Sequence, residues 1–180
     1  MPEIEIRLAS SADIVSLIAL DHSSITDFVW KMEVIFEREQ ETIGARFQKV
    51  KLPRSVKQNY PKPVDLLLQD WQHFSGLLVA TIADNPVAYV SLVIDRITRA
   101  VWVIDLVVDK SVRRKGIGSA LLLASAEFAH ENGSRTLILE MQPRNGPAVA
   151  LAQKMGFDFC GFNDHYYPAN EVAIFFRKSY

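Results

Sequence analysis

The sequence predicts an α+β domain of three layers, α/β/α, with a mixed, mostly antiparallel, twisted sheet and helices on both faces. Three observations carry that reading. Only one strand–helix–strand unit is clear, over residues 101–142. The other alternating runs are spaced as hairpins or joined by long returns, which makes neighbouring strands antiparallel. The 180 residues show no internal repeat, low-complexity tract or linker, so one domain over 1–180 with a sizeable core is expected.

Each element has its own signal. Ile4, Ile6 and Leu8 alternate with Glu3, Glu5 and Arg7, the pattern of a half-buried strand. Ser10 or Ser11 can cap the next helix, with Asp13 in its first turn and Ile14, Leu17 and Ile18 on its apolar face. Alternation around Trp30–Phe36 and again around Ile43–Phe47 predicts two strands joined by a turn, although a helix also fits the first run. Lys49 to Lys57 is basic and contains Pro53-Arg54, which fits a solvated loop or one touching a ligand. Pro61 and Pro63 break the chain before a short helix over Val64–Trp71. Gly76–Ala83 and Val87–Ile97 pair across an Asp84-Asn85-Pro86 turn, and Arg99-Ala100 leads into the strand 101–108. A helix over 117–131 stops at Asn132-Gly133, followed by a strand over Thr136–Gln142. Pro147 starts a helix that runs to Met155, with Asn145 near its cap and Gly156 after it. Phe157–Phe162 and Glu171–Lys178 are closing strands, joined by a loop carrying His165-Tyr166-Tyr167-Pro168.

Composition narrows the function classes. A net charge of −1 gives no basis for bulk attraction to nucleic acid or membrane, and no apolar run reaches membrane-spanning length. Glu3 and Glu5 interrupt any signal-peptide core. The single cysteine, Cys160, allows no internal disulfide and suits a reducing, cytoplasmic setting; its neighbours Phe159 and Phe162 predict a buried structural thiol. His22, His73, His130 and His165 lack metal-ligand spacing, so no metal is expected. His165 sits beside the tyrosines and could touch a substrate, whereas the other three are expected at the surface.

The stretch Val107 to Ser119 concentrates the chemistry. A buried strand gives way to Arg113, Arg114 and Lys115, then to Gly116 and Gly118, then to a helix. Glycines let backbone approach a ligand closely, and the N–H groups of a first helical turn have no intrahelical partner. With the helix dipole and three cations this makes a site for a phosphate or pyrophosphate. It is not a dinucleotide fingerprint, because Leu121 stands where the third glycine belongs, and it has no P-loop spacing.

Arg113-x-x-Gly116-x-Gly118, preceded by Leu106-Val107-Val108-Asp109, resembles the acetyl-CoA-binding motif of the GNAT superfamily of acyl-CoA N-acyltransferases. A second segment agrees: Leu139-Glu140-Met141-Gln142-Pro143-Arg144-Asn145, then Ala148, Leu151, Lys154 and Gly156-Phe157. The tail from Gly161-Phe162-Asn163-Asp164 to Phe176 is similar to streptothricin acetyltransferases, and Glu140, five before Asn145, matches a glutamate of protein N-terminal acetyltransferases. The resemblance implies the acyl-CoA N-acyltransferase fold, with strands 101–108 and 136–142 splayed around the pantetheine arm. It implies that Arg113, Arg114, Lys115, Gly116, Ile117, Gly118 and Ser119 hold acetyl-CoA, chiefly by backbone N–H groups. Leu106, Val107 and Val108 would line the pantetheine, a backbone N–H near Val108 would face the oxyanion, and Asn145 would complete the cofactor site.

Four side chains are candidates for the reaction. Glu140 is a carboxylate in an otherwise apolar strand, and partial burial would raise its pKa toward the range of a general base; pairing with an arginine is the competing role. Asp105 is the second carboxylate, isolated among apolar residues. Ala152 stands where many relatives have a tyrosine that protonates the leaving thiolate, so Tyr166 or Tyr167 is expected to fill the gap as general acid or as a substrate wall. The expected activity is acetyl transfer from acetyl-CoA to a primary amine by direct attack. A small cationic amine or antibiotic comes first as acceptor, a peptide N-terminus second, and a non-catalytic CoA-binding module is the rival. No nucleic acid, membrane or metal partner is expected, and the chain is expected as monomer or homodimer.

Overall fold

The computed structural model describes residues 3–37 and 42–180. In chain order the elements are β1 (Glu5–Leu8), α1 (Ile14–Ile18), β2 (Ser24–Glu37), β3 (Thr42–Gln58), α2 (Leu66–Asp70), β4 (Gly76–Ile82), β5 (Asn85–Asp95), β6 (Ala100–Val108), α3 (Ile117–Glu131), β7 (Thr136–Met141), α4 (Gly146–Lys154), β8 (Asp158–Tyr167) and β9 (Glu171–Ser179). The main sheet has the order β1-β4-β5-β6-β7-β9-β8, and β2 and β3 form a separate ribbon. Among the described residues only β6 and β7 are parallel in the main sheet, as expected of the one strand–helix–strand unit.

Two apolar clusters give the three layers. On one face, Leu121 and Leu122 of α3 and Val149 and Ala152 of α4 pack on Val90, Leu92, Val101, Val103, Leu137 and Leu139. On the other, Ile14 and Leu17 of α1 and Leu67 of α2 pack on Leu77, Val79, Tyr89 and Val107. Each helix therefore covers the sheet with the stripe that its sequence period predicts. Among the described residues no helix is long and apolar enough to cross a membrane, which says nothing of a β-barrel.

Several local expectations change. The β4–β5 turn is the pair Ala83-Asp84, at φ 47° and 61°, and Asn85 and Pro86 already belong to β5. Two successive left-handed residues match the right-handed twist of a tight hairpin. Neither Ser10 nor Ser11 accepts a capping bond at α1; instead the Asp13 carboxylate reaches back to the Ser10 N–H at 2.7 Å and to Arg7 at 2.8 Å. The basic run 49–57 is part of β3, paired Trp30↔Lys49 and Phe28↔Lys51, not a loop. Cross-strand partners satisfy its backbone, and Lys49 Nζ lies 4.3 Å from the centre of the Phe28 ring. The turn expected between β2 and β3 falls on 38–41, outside the described residues. The ribbon docks on the main body: the Trp30 N–H donates to the Pro143 carbonyl at 3.0 Å, and Phe47 meets Phe159 and Phe162.

Two irregularities set up the site. Parallel pairing of β6 with β7 runs from Ala100↔Thr136 to Val103↔Leu139 and then ends, so the strands part at Ile104 and Glu140. On its other edge β6 pairs Ser91 with Asp105 but Leu92 with Val103, leaving Ile104 as an extra residue. That is a β-bulge, and it reverses which face later side chains take. Val103 lies in the α3 cluster, whereas Val107, of the same sequence parity, lies in the α1–α2 cluster.

Candidate active site

The glycine loop is built from backbone. The Asp109 side chain accepts from the Ser111 N–H at 2.9 Å and its hydroxyl at 2.5 Å, closing the turn after β6 and holding the carboxyl below its usual range. Arg113 turns inward, donating from Nε to the Val108 carbonyl at 2.7 Å and from Nη2 to the Asp21 carbonyl at 2.5 Å. Its guanidinium ties the loop to the end of β6 and to the segment at Asp21. Arg114 at φ 65° and Gly116 at φ 89° are left-handed, a conformation that costs a non-glycine residue roughly 1–3 kcal/mol. Arg114 and Lys115 are exposed. No side chain caps α3, and its first turn closes with the Ala120 N–H on the Gly116 carbonyl at 3.0 Å. The N–H groups of Ile117, Gly118 and Ser119 therefore have no intrahelical partner, as an anion site requires. A Cβ on Gly118 would point at Leu151, 3.2 Å away, so this glycine serves the contact of α3 with α4. Asn145 caps α4, its Oδ1 accepting from the Ala148 N–H at 3.2 Å.

The strand edge beside the loop is open. The Asp109 N–H bonds to Val87 of the β5 side, so alternation turns the N–H groups of Val108 and Leu106 toward β7, beyond the point where pairing has stopped. The Val107 side chain goes to the α1–α2 cluster.

The two carboxylates meet at the parting of the strands. Asp105, placed on that face by the bulge, accepts from the Ser91 hydroxyl at 2.8 Å and from the hydroxyl of Tyr60. Glu140 accepts from the Tyr166 hydroxyl at 2.5 Å on Oε2. Lys62 sits between them, 3.3 Å from Asp105 Oδ1 and 2.6 Å from Glu140 Oε1. The second contact is an ion pair by distance only: Glu140 Oε1 is buried and accepts no hydrogen bond of good geometry. The partner of Glu140 is thus a lysine, not the arginine considered from the sequence. A cavity of about 440 Å³ opens here, walled by Tyr60, Lys62, Asp105, Glu140, Tyr166 and Tyr167.

Tyr166 and Tyr167 lie on β8, not in a loop, and only the turn Pro168–Asn170 separates β8 from β9. Burial comes first in raising both phenols above their ordinary pKa, with the Glu140 charge adding to it. Ala152 is fully buried in the α3–α4 cluster, so it leaves no gap, and the tyrosines line the opposite face of the sheet. His165 is exposed and pairs with Asp164 at 3.1 Å. Cys160 is exposed on β8 rather than buried between its phenylalanines, which turn toward Phe47.

Sequence reasoning missed Tyr60, Lys62, Tyr89, Ser91 and His22. His22 is not a surface residue: Nδ1 is 2.7 Å from the Leu20 carbonyl and Nε2 is 3.1 Å from the Tyr89 hydroxyl. A carbonyl can only accept, so Nδ1 carries the proton and Nε2 receives the tyrosine hydrogen. Burial lowers the pKa of this ring, consistent with the neutral form. The one available signal was parity, since Tyr89 and Ser91 are polar-headed residues two apart in an apolar strand. Nothing local marks Tyr60 or Lys62. Among the described residues no cluster of His, Cys, Asp and Glu is placed to hold a metal.

The sequence profile of the Acetyltransferase (GNAT) family matches residues 45–157. The chain belongs to the GNAT acetyltransferase family. Within GNAT proteins it is similar to the streptothricin acetyltransferase of Streptomyces lavendulae, with 41% identity over 63 residues, 35% of this chain and 33% of that protein. It is also similar to the ribosomal protein bS18-alanine N-acetyltransferase of Escherichia coli K12, with 33% identity over 67 residues, 37% of this chain and 45% of that protein. These alignments span less than half the length of either relative. Over the whole chain the GNAT fold superposes on a crystal structure of nourseothricin acetyltransferase with a TM-score of 0.83, at 25% identity and 98% coverage of both chains.

Proposed function

We propose that this chain transfers the acetyl group of acetyl coenzyme A to the primary amine of a small cationic acceptor, by direct attack and without a covalent enzyme intermediate. The observation that carries the proposal is Glu140 Oε1, a buried carboxylate oxygen at the parting of β6 and β7 with no hydrogen-bond donor of its own. Both oxygens of Asp105 accept hydrogen bonds from neutral hydroxyls, whereas Glu140 Oε1 accepts none, which favours Glu140 as the base.

Acetyl coenzyme A, when bound, supplies the acyl carbon and a thiolate leaving group whose parent thiol ionises near ~8.5. The residues present fit it: the uncapped first turn of α3, with Arg114 and Lys115, suits the pyrophosphate, and the open edge at Leu106 and Val108 suits an extended amide-bearing arm. On the acceptor side, Asp105 and Glu140 attract an ammonium and Glu140 Oε1 takes its proton. Tyr166 holds Oε2 of Glu140 and so fixes the direction of Oε1, which faces the Lys62 ammonium. The N–H of Val108, facing the same opening, is placed to stabilise negative charge on the carbonyl oxygen.

A small cationic acceptor is supported by the aromatic walls and paired carboxylates of the cavity, and by the full-length likeness to nourseothricin acetyltransferase. A peptide N-terminus presents the same ammonium, and the E. coli relative bears on that second reading. Mass spectrometry of a panel of small amines and short peptides incubated with acetyl coenzyme A tests the proposal. Acetylated small amines are expected. Acetylated peptides alone move the acceptor class to protein N-termini, and no product from either set removes the reading.

A further inference from the structure

Lys62 has no part in the reaction derived above, yet it occupies the acceptor position. Its ammonium meets three oxygens: the Ile104 carbonyl at 2.9 Å, Asp105 Oδ1 at 3.3 Å and Glu140 Oε1 at 2.6 Å. Two of its N–H donors bond the Ile104 and Asp105 oxygens, and Glu140 Oε1 meets the ammonium as an ion pair. The Ile104 carbonyl belongs to the bulged residue of β6, at the point where pairing with β7 stops. The Tyr167 ring closes the set, 5.9 Å from Nζ. The same Glu140 oxygen is the one that must contact the acceptor, so a substrate nitrogen and Lys62 Nζ cannot both be there.

The surroundings decide what can replace Lys62. The Asp105 and Glu140 side chains are 9% and 1% exposed, and two carboxylates so buried need a cation beside them. A neutral amide or alcohol would leave them uncompensated; another ammonium would not. The Lys62 side chain keeps 22% exposure, which gives it an outlet to solvent. Pro61 and Pro63 fix the backbone on either side, so the exchange needs only side-chain rotation.

We propose that Lys62 is a resident competitor for the acceptor site: its ammonium fills a three-oxygen cradle in the free protein, and an incoming primary alkylammonium must displace it. The residue thereby selects for unsubstituted terminal ammonium groups on slim aliphatic stems, matching its own shape and charge. This rests on the proposed function for the meaning of the site, but binding can be measured without turnover.

The test uses the full chain and n-butylammonium chloride as probe. Calorimetry should show the Kd for n-butylammonium falling at least tenfold in Lys62→Met, while the Kd for coenzyme A stays unchanged. Butyltrimethylammonium, which has no N–H donors, should gain nothing. In wild-type protein labelled with ¹⁵N-lysine, the Lys62 ammonium resonance should move to the position of solvated lysines at saturating probe. An unchanged or weaker Kd in a cooperatively melting Lys62→Met protein overturns the proposal. If that variant does not fold, the wild-type resonance decides: a signal that stays in place at saturation overturns the proposal equally. Acetyl transfer is followed separately, with KM for n-butylamine expected to fall in Lys62→Met. Turnover with an unmoved KM removes the competitor and keeps the transferase; tightened binding with no product from either protein keeps the competitor and removes the transferase.

Discussion

The glycine loop and the carboxylate cavity lie against the same strand, β6, and are built on opposite plans. The loop acts through backbone. Its side chains either fix the turn, as Asp109 and Arg113 do, or reach solvent, as Arg114 and Lys115 do. The cavity acts through side chains drawn from β6, β7, β8 and the Tyr60–Lys62 segment, each held by another's hydrogen bond. A backbone site needs particular φ angles and tolerates changes of side chain that leave those angles alone. A side-chain site tolerates little, because every member is another's partner. Damage to the loop should therefore appear in cofactor affinity, and damage to the cavity in kcat.

The largest effect should come from Glu140→Gln, which removes the proposed proton acceptor and keeps the volume. We expect kcat to fall by about 10²-fold or more, a common scale for a general base, with coenzyme A affinity unchanged. Steady-state kinetics and calorimetry together check this; full activity at neutral pH would shift the base to Asp105 or to water.

Next is Gly118→Val. Its Cβ points at Leu151, so overpacking of α3 against α4 should cost about 1–3 kcal/mol and lower Tm. Coenzyme A should bind more weakly because the first turn of α3 shifts. A variant with unaltered melting and affinity would contradict this account of the loop. Gly116→Ala is the complementary probe: its Cβ meets nothing within 4 Å, so its cost comes from φ 89° alone.

Tyr166→Phe should be milder. It removes the donor to Glu140 Oε2, and losing a hydrogen bond to a charged group should lower kcat about tenfold. If Tyr166 were instead the acid for the leaving thiolate, a donor with a more acidic thiol would restore the rate. No such rescue is expected, since the phenol proton is committed to Glu140.

The smallest effect concerns His22. Burial lowers its folded pKa below the unfolded value near ~6.5. As pH falls through that value the unfolded chain takes up the proton first, so stability should decline from pH ~7 toward ~5. Urea midpoints at the two pH values should differ less in His22→Gln than in wild type. An equal difference would remove His22 as the cause.

The sequence by itself determined the layer order, most of the elements and the glycine loop. Those signals are local: hydrophobic period, Asn132-Gly133 and Pro147 as punctuation, and a motif contained in seven consecutive residues from Arg113 to Ser119. It also put forward both carboxylates, because a charge inside an apolar strand stands out against its neighbours. The tertiary structure decided how they are used. By parity alone Asp105 belongs with Val101 and Val103 under α3, and only the bulge at Ile104 turns it to the cavity. Bulges depend on pairing with the next strand, which a single strand's pattern does not contain. The same limit hid Tyr60, Lys62 and His22, whose partners are 45, 43 and 67 residues away. It also hid the surroundings of Ala152, which packing buries in the α3–α4 cluster.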